Sequence, residues 1–182
     1  MYDNIYLISI DPGNNTGIAI YELNSATLDI VSITTHVVVL NNYVTNNIDI
    51  SLDRNLTLYN VCRRLSETYQ PHVVAIEAAF MNSRFPKAVM QLSQYTLTVE
   101  RTFYSDNEFI KLFRYPPKYI KKYIGGGGSA DKDGMLEAIR VIPDITNNVD
   151  VDIISEHEVD ALAIGYITIA ELKRRPHMLI SY

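Results

Sequence analysis

Three carboxylates stand where the chain is otherwise apolar. Asp11 follows the run Ile5-Tyr6-Leu7-Ile8-Ser9-Ile10. Glu77 ends His72-Val73-Val74-Ala75-Ile76-Glu77, and Asp160 interrupts Val159-Asp160-Ala161-Leu162-Ala163-Ile164. An unpaired carboxylate is costly to bury, because desolvation penalises its charge. Three acids in three apolar elements are tolerable together if they share a cation. His157 lies three residues before Asp160, which places both side chains on one face of a helix. Carboxylates with one imidazole suit hard divalent ions such as Mg2+ or Mn2+. Two such ions ~4 Å apart clamp the attacking and leaving oxygens of an in-line phosphoryl displacement. Taken singly, the acids have plainer explanations. Asp11 can open an Asx turn before Pro12-Gly13, and Glu77 can meet solvent at a strand end. Asp160 resists this, having an apolar residue on either side. Glu158 follows Ser155 at the capping-box spacing and is assigned a structural role. His36, His72 and His177 have no partners in view and are read as ordinary.

The elements around these residues follow from periodicity. Ile5 to Ile10, Ile18 to Tyr21 and Leu28 to Leu40 read as three strands in an antiparallel meander. The turn cluster Asp11-Pro12-Gly13-Asn14-Asn15-Thr16-Gly17 separates the first two. Residues 41–50 read as a polar loop, and the long stretch 40–55 has no evident role. Helical rows at Leu52, Leu56, Tyr59, Arg63 and Ser66, and at Leu58, Cys62, Leu65 and Tyr69, predict an amphipathic helix over 53–69. A strand to Glu77, a loop from Ala78 to Phe85 and a helix over 86–104 come next. That helix has an apolar side of Val89, Leu92, Leu97, Val99 and Phe103. Glu108 to Arg114 reads as a fifth strand. Pro116-Pro117 suits the first turn of a short helix over Lys118 to Tyr123. The four glycines Gly125 to Gly128 break the chain before a helix from Ala130 to about Val141. The capping box at Ser155 opens a last helix to about Arg174. The expectation is one α/β domain over 1–182, with a five-stranded mixed sheet whose first three strands are antiparallel, flanked by helices.

Composition limits the partners. The chain has 182 residues, 47% hydrophobic and 20% charged, enough for an ordinary core. Sixteen basic against 21 acidic residues give a formal net charge of −5, which on its face argues against a polyanion partner. The distribution argues otherwise. Residues 1–81 carry 3 basic and 8 acidic groups, residues 82–132 carry 9 and 4, and residues 133–182 carry 4 and 9. A basic middle lies between acidic ends. One cysteine, Cys62, excludes a disulfide framework and a Cys-based zinc site. No signal peptide and no membrane span are expected.

The motifs resemble those of the RuvC Holliday-junction resolvases. The matching segments in this chain are Ile10-Asp11-Pro12-Gly13 with Thr16-Gly17, then Ala75-Ile76-Glu77 before Phe80-Met81, then His157-Glu158-Val159-Asp160-Ala161-Leu162-Ala163-Ile164. A fourth match is the basic, glycine-containing segment Lys121 to Lys132. The motifs fall in family order and span residues 5 to about 170. The resemblance implies a ribonuclease H-like fold and a homodimer that resolves four-way or branched DNA by paired metal-dependent nicks. The expected products are 5′-phosphate and 3′-hydroxyl ends, and the expected setting is recombination and repair in a bacterial or phage-infected cytoplasm.

The resemblance also assigns roles. Asp11, Glu77, Asp160 and His157 match the metal-binding positions for two Mg2+ or Mn2+ ions. Lys121 and Lys132 match lysines near the scissile phosphate, with Lys132 counted among the catalytic residues. Phe80 matches an aromatic that stacks on bases. Arg84, Lys87, Lys118 and Lys122 complete the expected DNA surface. Phe85 could stack on a base or pack in the core. The glycine run is richer than the family pattern, and Asn82-Ser83-Arg84-Phe85-Pro86-Lys87 departs from it. A nuclease acting on RNA–DNA hybrid or RNA would use the same acids, and a junction-binding protein without catalysis is a further alternative. A phosphotransferase of the actin and sugar-kinase type would need a second lobe for which there is no room.

Overall fold

The computed structural model describes residues 4–43, 50–79, 85–125 and 132–179. Five strands form one sheet: β1 (Asn4–Asp11), β2 (Asn15–Asn24), β3 (Ile30–Val39), β4 (Val73–Glu77) and β5 (Lys111–Tyr115). Their order is β3-β2-β1-β4-β5. β1 pairs antiparallel with β2, and β2 with β3, while β4 lies parallel to both β1 and β5. The expected mixed sheet with an antiparallel first half is therefore present. β1 is central, which explains its near-continuous apolar sequence.

Among the described residues the helices are α1 (Ile50–Tyr69), α2 (Pro86–Asp106), α3 (Pro117–Ile124), α4 (Lys132–Arg140), α5 (Pro143–Thr146) and α6 (Glu156–Arg174). Strand alternation sorts the core into two layers. Ile8, Ile10, Ile18, Ile20, Val74 and Ile76 face α1 and α2, where they meet Leu58, Cys62, Tyr95, Val99 and Phe103. Leu7, Ala19, Tyr21, Val73, Ala75 and Tyr115 face the other way, onto α6 and the shorter helices around it.

Some local expectations shift. α1 begins earlier than the spacing predicts, and its rows do not divide as spaced, since Ser66 of the Leu52 row turns inward with Leu58 and Cys62. Leu58, Cys62 and Ser66 are buried, whereas Leu52, Leu56 and Tyr59 are exposed. α2 splits likewise, with Tyr95, Val99 and Phe103 inside and Met90 and Leu97 outside. Phe85 is 63% exposed and so is not a core residue. The fifth strand starts at Lys111, because Asn107 to Ile110 forms a turn first. α5 has only four residues, too few for a helical period to register. In the stretch 40–55, Leu40–Tyr43 is a short 3-10 turn and Ile50 opens α1. Phe80, Arg84 and Gly126 to Asp131 lie outside the described residues, as does the side chain of Lys132.

Candidate active site

Asp11 and Glu77 are neighbours by register. β1 and β4 run parallel with Leu7 beside Val73 and Ile10 beside Ile76, so the next residues of each strand are the two acids. Both have the parity of Leu7, Ser9, Val73 and Ala75, and therefore face α6. Both also stand at the carboxyl ends of their strands, where the chain turns away and leaves room above the sheet. Ala78 N–H continues the ladder to the Tyr115 carbonyl at 2.9 Å, which holds the strand straight through Glu77.

α6 brings the other two groups. Its first turn is set by a complete capping box: Ser155 accepts from Glu158 N–H, and the Glu158 carboxylate accepts from Ser155 N–H at 2.9 Å. The structural role read for Glu158 holds. The rest of the helix is seated by polar and steric keys. Ser9 Oγ donates to the Ala161 carbonyl at 2.7 Å, and the Tyr21 hydroxyl donates to the Leu162 carbonyl at 2.7 Å. Gly165 lets the helix come this close, since a Cβ there would stand 2.1 Å from the Tyr21 ring. None of these three was singled out from sequence. A lone serine in an apolar strand and a lone glycine in an apolar helix were the available signals.

With α6 so placed, His157 Nδ1 lies 3.2 Å from Asp11 Oδ2, and His157 Nε2 lies 3.7 Å from Glu156 Oε1. The hydrogen bond to Asp11, larger than the opposing effect of burial, raises the His157 pKa. Glu77 is pushed up to about 8, first by burial and then by the charges of Asp11 and Asp160, with Lys121 opposing. Asp160 is pushed up to about 6, again by burial first and Asp11 next, with His157 and Lys121 opposing. Four of the expected residues, Asp11, Glu77, His157 and Asp160, thus form one electrostatic unit, and Lys121 belongs to it. The family resemblance implies a place for Lys121 near the scissile phosphate, and the structure adds its electrostatic coupling to Glu77 and Asp160.

Among the described residues, no three or more His, Cys, Asp or Glu side chains converge tightly enough to form a ready metal cage. The donor set nevertheless fits a divalent cation: hard oxygens and one imidazole, half-buried, in a site whose negative charge is penalised as it stands.

α3 presents the neighbouring lysines. Its tyrosines line up against Tyr115, with the Tyr119 ring 5.7 Å from Tyr115 and 6.1 Å from Tyr123. Arg174 of α6 sits 5.7 Å above Tyr123, and the Tyr119 hydroxyl donates to Glu171 at 2.7 Å. Lys118 and Lys122 are exposed, as is Lys87 at the start of α2, and Lys121 is half-buried. The helix ends at Gly125.

The chain thus has a five-stranded mixed sheet with acids on the ends of its central parallel strands and a third on the covering helix, a candidate site for divalent ions. The family model described as crossover junction endodeoxyribonuclease RuvC matches residues 7–170. The chain belongs to the RuvC family. It is 28% identical over 179 residues to the RuvC of Wolbachia sp. subsp. Drosophila simulans (strain wRi), covering 88% of this chain and 91% of that one. It is 30% identical over 166 residues to the RuvC of Ruminiclostridium cellulolyticum, covering 87% and 88%. Among solved structures it superposes on Thermus thermophilus RuvC with TM-score 0.69 and 19% identity, over 94% of this chain and 97% of that one. The same protein in complex with Holliday junction substrate gives TM-score 0.68 at 18% identity, over 93% and 95%. The yeast mitochondrial Holliday junction resolvase gives 0.64 at 13%, over 98% and 88%. Among the described residues, no helix is long and apolar enough to cross a membrane.

Proposed function

We propose that this chain is a structure-selective endodeoxyribonuclease that resolves four-way or otherwise branched DNA by hydrolysis of phosphodiester bonds. One observation supports this above the rest. Asp11 and Glu77 are register neighbours on β1 and β4, and α6 places His157 and Asp160 above them, within a chain matched to RuvC over nearly its whole length.

Asp11, Glu77, Asp160 and His157 would hold the divalent ions. Two such ions, when bound, lower the pKa of the attacking water and stabilise charge on the scissile phosphate and leaving 3′-oxygen. Asp11 ends the central strand between the others and is suited to a shared position. Glu77 and Asp160 gain most from a cation, since burial and mutual repulsion disfavour their ionised forms. His157 holds Asp11 in place. Lys121 adds positive charge where the phosphate must sit, and by family resemblance Lys132 does the same. Lys87, Lys118 and Lys122 would bind flanking phosphates without reading sequence. Phe80, Arg84 and the exposed Phe85 would meet splayed bases near the branch point.

The outer face of α1 and α2 is suited to a second copy. Leu52 is 64% exposed, Leu56 54%, Met90 65% and Leu97 47%. Two-fold pairing of such a face would bury it and set two centres against one junction.

The decisive experiment offers labelled four-way junction, flap, linear duplex and RNA–DNA hybrid, with and without Mg2+ or Mn2+. Symmetric paired nicks in the junction, with 5′-phosphate ends and lost in Asp11→Asn, are expected. Cleavage of the hybrid alone would overturn the proposal, and binding without cleavage would favour a non-catalytic role.

A further inference from the structure

α2 sends one fully buried hydroxyl toward the turn that follows Asp11. Tyr95 is 1% exposed and packs among Ile8, Ile10 and the other residues of that layer. Its hydroxyl donates to Asn14 Oδ1 at 3.0 Å and accepts from Gln91 Nε2 at 2.7 Å. Gln91 Nε2 also reaches Asn14 Oδ1, at 3.3 Å. The Asn14 carbonyl in turn accepts from Leu40 N–H at 2.8 Å. Within the turn, Thr16 Oγ1 donates to the Gly13 carbonyl at 2.8 Å. A phenylalanine at 95 would fill the same volume without a polar atom to satisfy. The phenol oxygen is tolerated at this depth because Asn14 and Gln91 complete it.

We infer that Tyr95, with Gln91 as its partner, is a positioning residue. It pins the Pro12 to Thr16 turn against α2 and thereby sets where the end of β1 delivers the Asp11 carboxylate. Asp11 precedes the turn directly, and Asn14 is the only residue of the turn whose side chain bonds to a helix among the described hydrogen bonds. Position 11 is therefore held from two sides: His157 of α6 grips the carboxylate, and α2 grips the turn that follows it. The catalytic meaning of the inference rests on the nuclease reading of Asp11, whereas the mechanical coupling does not.

The network makes a specific prediction about redundancy. Losing the Tyr95 oxygen leaves the Gln91 to Asn14 bond, and losing Gln91 leaves the Tyr95 to Asn14 bond. Tyr95→Phe and Gln91→Ala should each act mildly, and the pair should match Asn14→Ala. Two readouts separate positioning from general weakening. Hydrogen exchange at the amides of residues 13–17 is measured on metal-free protein. Single-turnover cleavage of saturating four-way junction is measured beside junction affinity without divalent ions.

The expected result is about ten-fold faster exchange and about ten-fold slower cleavage in the Tyr95→Phe/Gln91→Ala pair, with affinity changed less than about two-fold. Adding Asn14→Ala to the pair should change nothing further. Unchanged exchange at 13–17, or full additivity of Asn14→Ala with the pair, would overturn the inference. If the wild-type protein cuts no junction, the nuclease reading fails, and the exchange measurement still decides the coupling.

Discussion

A Cβ at position 17 would stand 1.9 Å from the His157 carbonyl oxygen and 3.0 Å from Glu158 N. Gly17 is thus the surface on which the start of α6 rests. The contact lies one strand away from Asp11, with which Gly17 pairs across the β1–β2 ladder. Any side chain here must lift the helix turn that carries His157. Overpacking of this kind costs about 1–3 kcal/mol, and more when the obstacle is backbone. Gly17→Ala should lower the urea midpoint and abolish cleavage at temperatures where it remains folded. Full activity in a folded Gly17→Ala protein would mean that the site tolerates displacement of α6.

Stability of the metal-free protein should fall as pH rises. Glu77 and Asp160 have folded-state pKa values of about 8 and about 6, above the ordinary carboxylate range. The folded chain therefore binds more protons than the unfolded chain between about pH 4 and 8, and loses stability across that window. The His157 value is also raised, so its contribution is complete at low pH and lost as pH rises through the raised value. All three act in one direction. Glu77→Gln should flatten the dependence and stabilise the metal-free protein by about 3 kcal/mol near pH 8.5, after allowance for partial solvent access. Urea titrations at about pH 5.5 and pH 8.5 test this. A Glu77→Gln protein with the wild-type slope would contradict it.

Metal preference should depend on position 157. The imidazole removes one negative charge relative to an aspartate and supplies nitrogen, which Mn2+ accepts more readily than Mg2+ does. His157→Asp should raise Mg2+-supported cleavage relative to Mn2+. It also replaces the hydrogen bond to Asp11 with a like charge, so the metal-free variant should melt lower and recover on adding Mg2+. An unchanged Mg2+/Mn2+ activity ratio would remove the argument.

The lysines of α3 divide into two kinds. Lys118→Ala and Lys122→Ala should weaken binding of all junction sequences alike, each reducing the salt slope by about 1. Lys121→Ala should do this and also slow cleavage of bound junction, because its charge acts on Glu77 and Asp160. With acidic ends around the basic middle, the slope on linear duplex should be shallow. Equal cleavage defects in all three variants would show that Lys121 has no separate role.

Leu56→Glu and Leu97→Glu place charge on the exposed apolar face of α1 and α2. Both should leave the fold intact, since neither side chain is in the core. In sedimentation, both should shift a dimer to monomer and convert paired nicks into single ones. A monomeric wild-type protein would overturn this assignment of the face.

The acids and the sheet were legible because each depends on local pattern. Asp11 and Glu77 punctuate apolar runs, and the alternation around them identifies strands. Ser155 and Glu158 announce the helix that brings Asp160. What the pattern could not show is relative placement. Nothing local says that Leu52 and Leu56 face outward while Leu58 faces inward, since both rows repeat at helical spacing. The contacts of Ser9 with Ala161, and of Asn14 with Tyr95, join residues 152 and 81 positions apart. Such pairs have no sequence signature until the sheet order is known. Lys121 was seen as a phosphate ligand because it lies in a basic run, and its reach to the acids depends on how α3 stacks.

Ser9 and Tyr21 give α6 something that hydrocarbon contact cannot, a fixed rotational phase. A helix turns about 100° per residue, so a roll of half that would swing His157 off Asp11 while still presenting mostly alanine, leucine and isoleucine to the sheet. Donors from two adjacent strands meet two consecutive carbonyls, Ala161 and Leu162, and a rolled helix satisfies neither. Intermediate settings lose both bonds, so the pair favours a single setting of the site. Substitutions at Ser9 and Tyr21 beneath the helix, or at Gly165 on its sheet-facing side, should then register as errors of aim before they register as losses of stability.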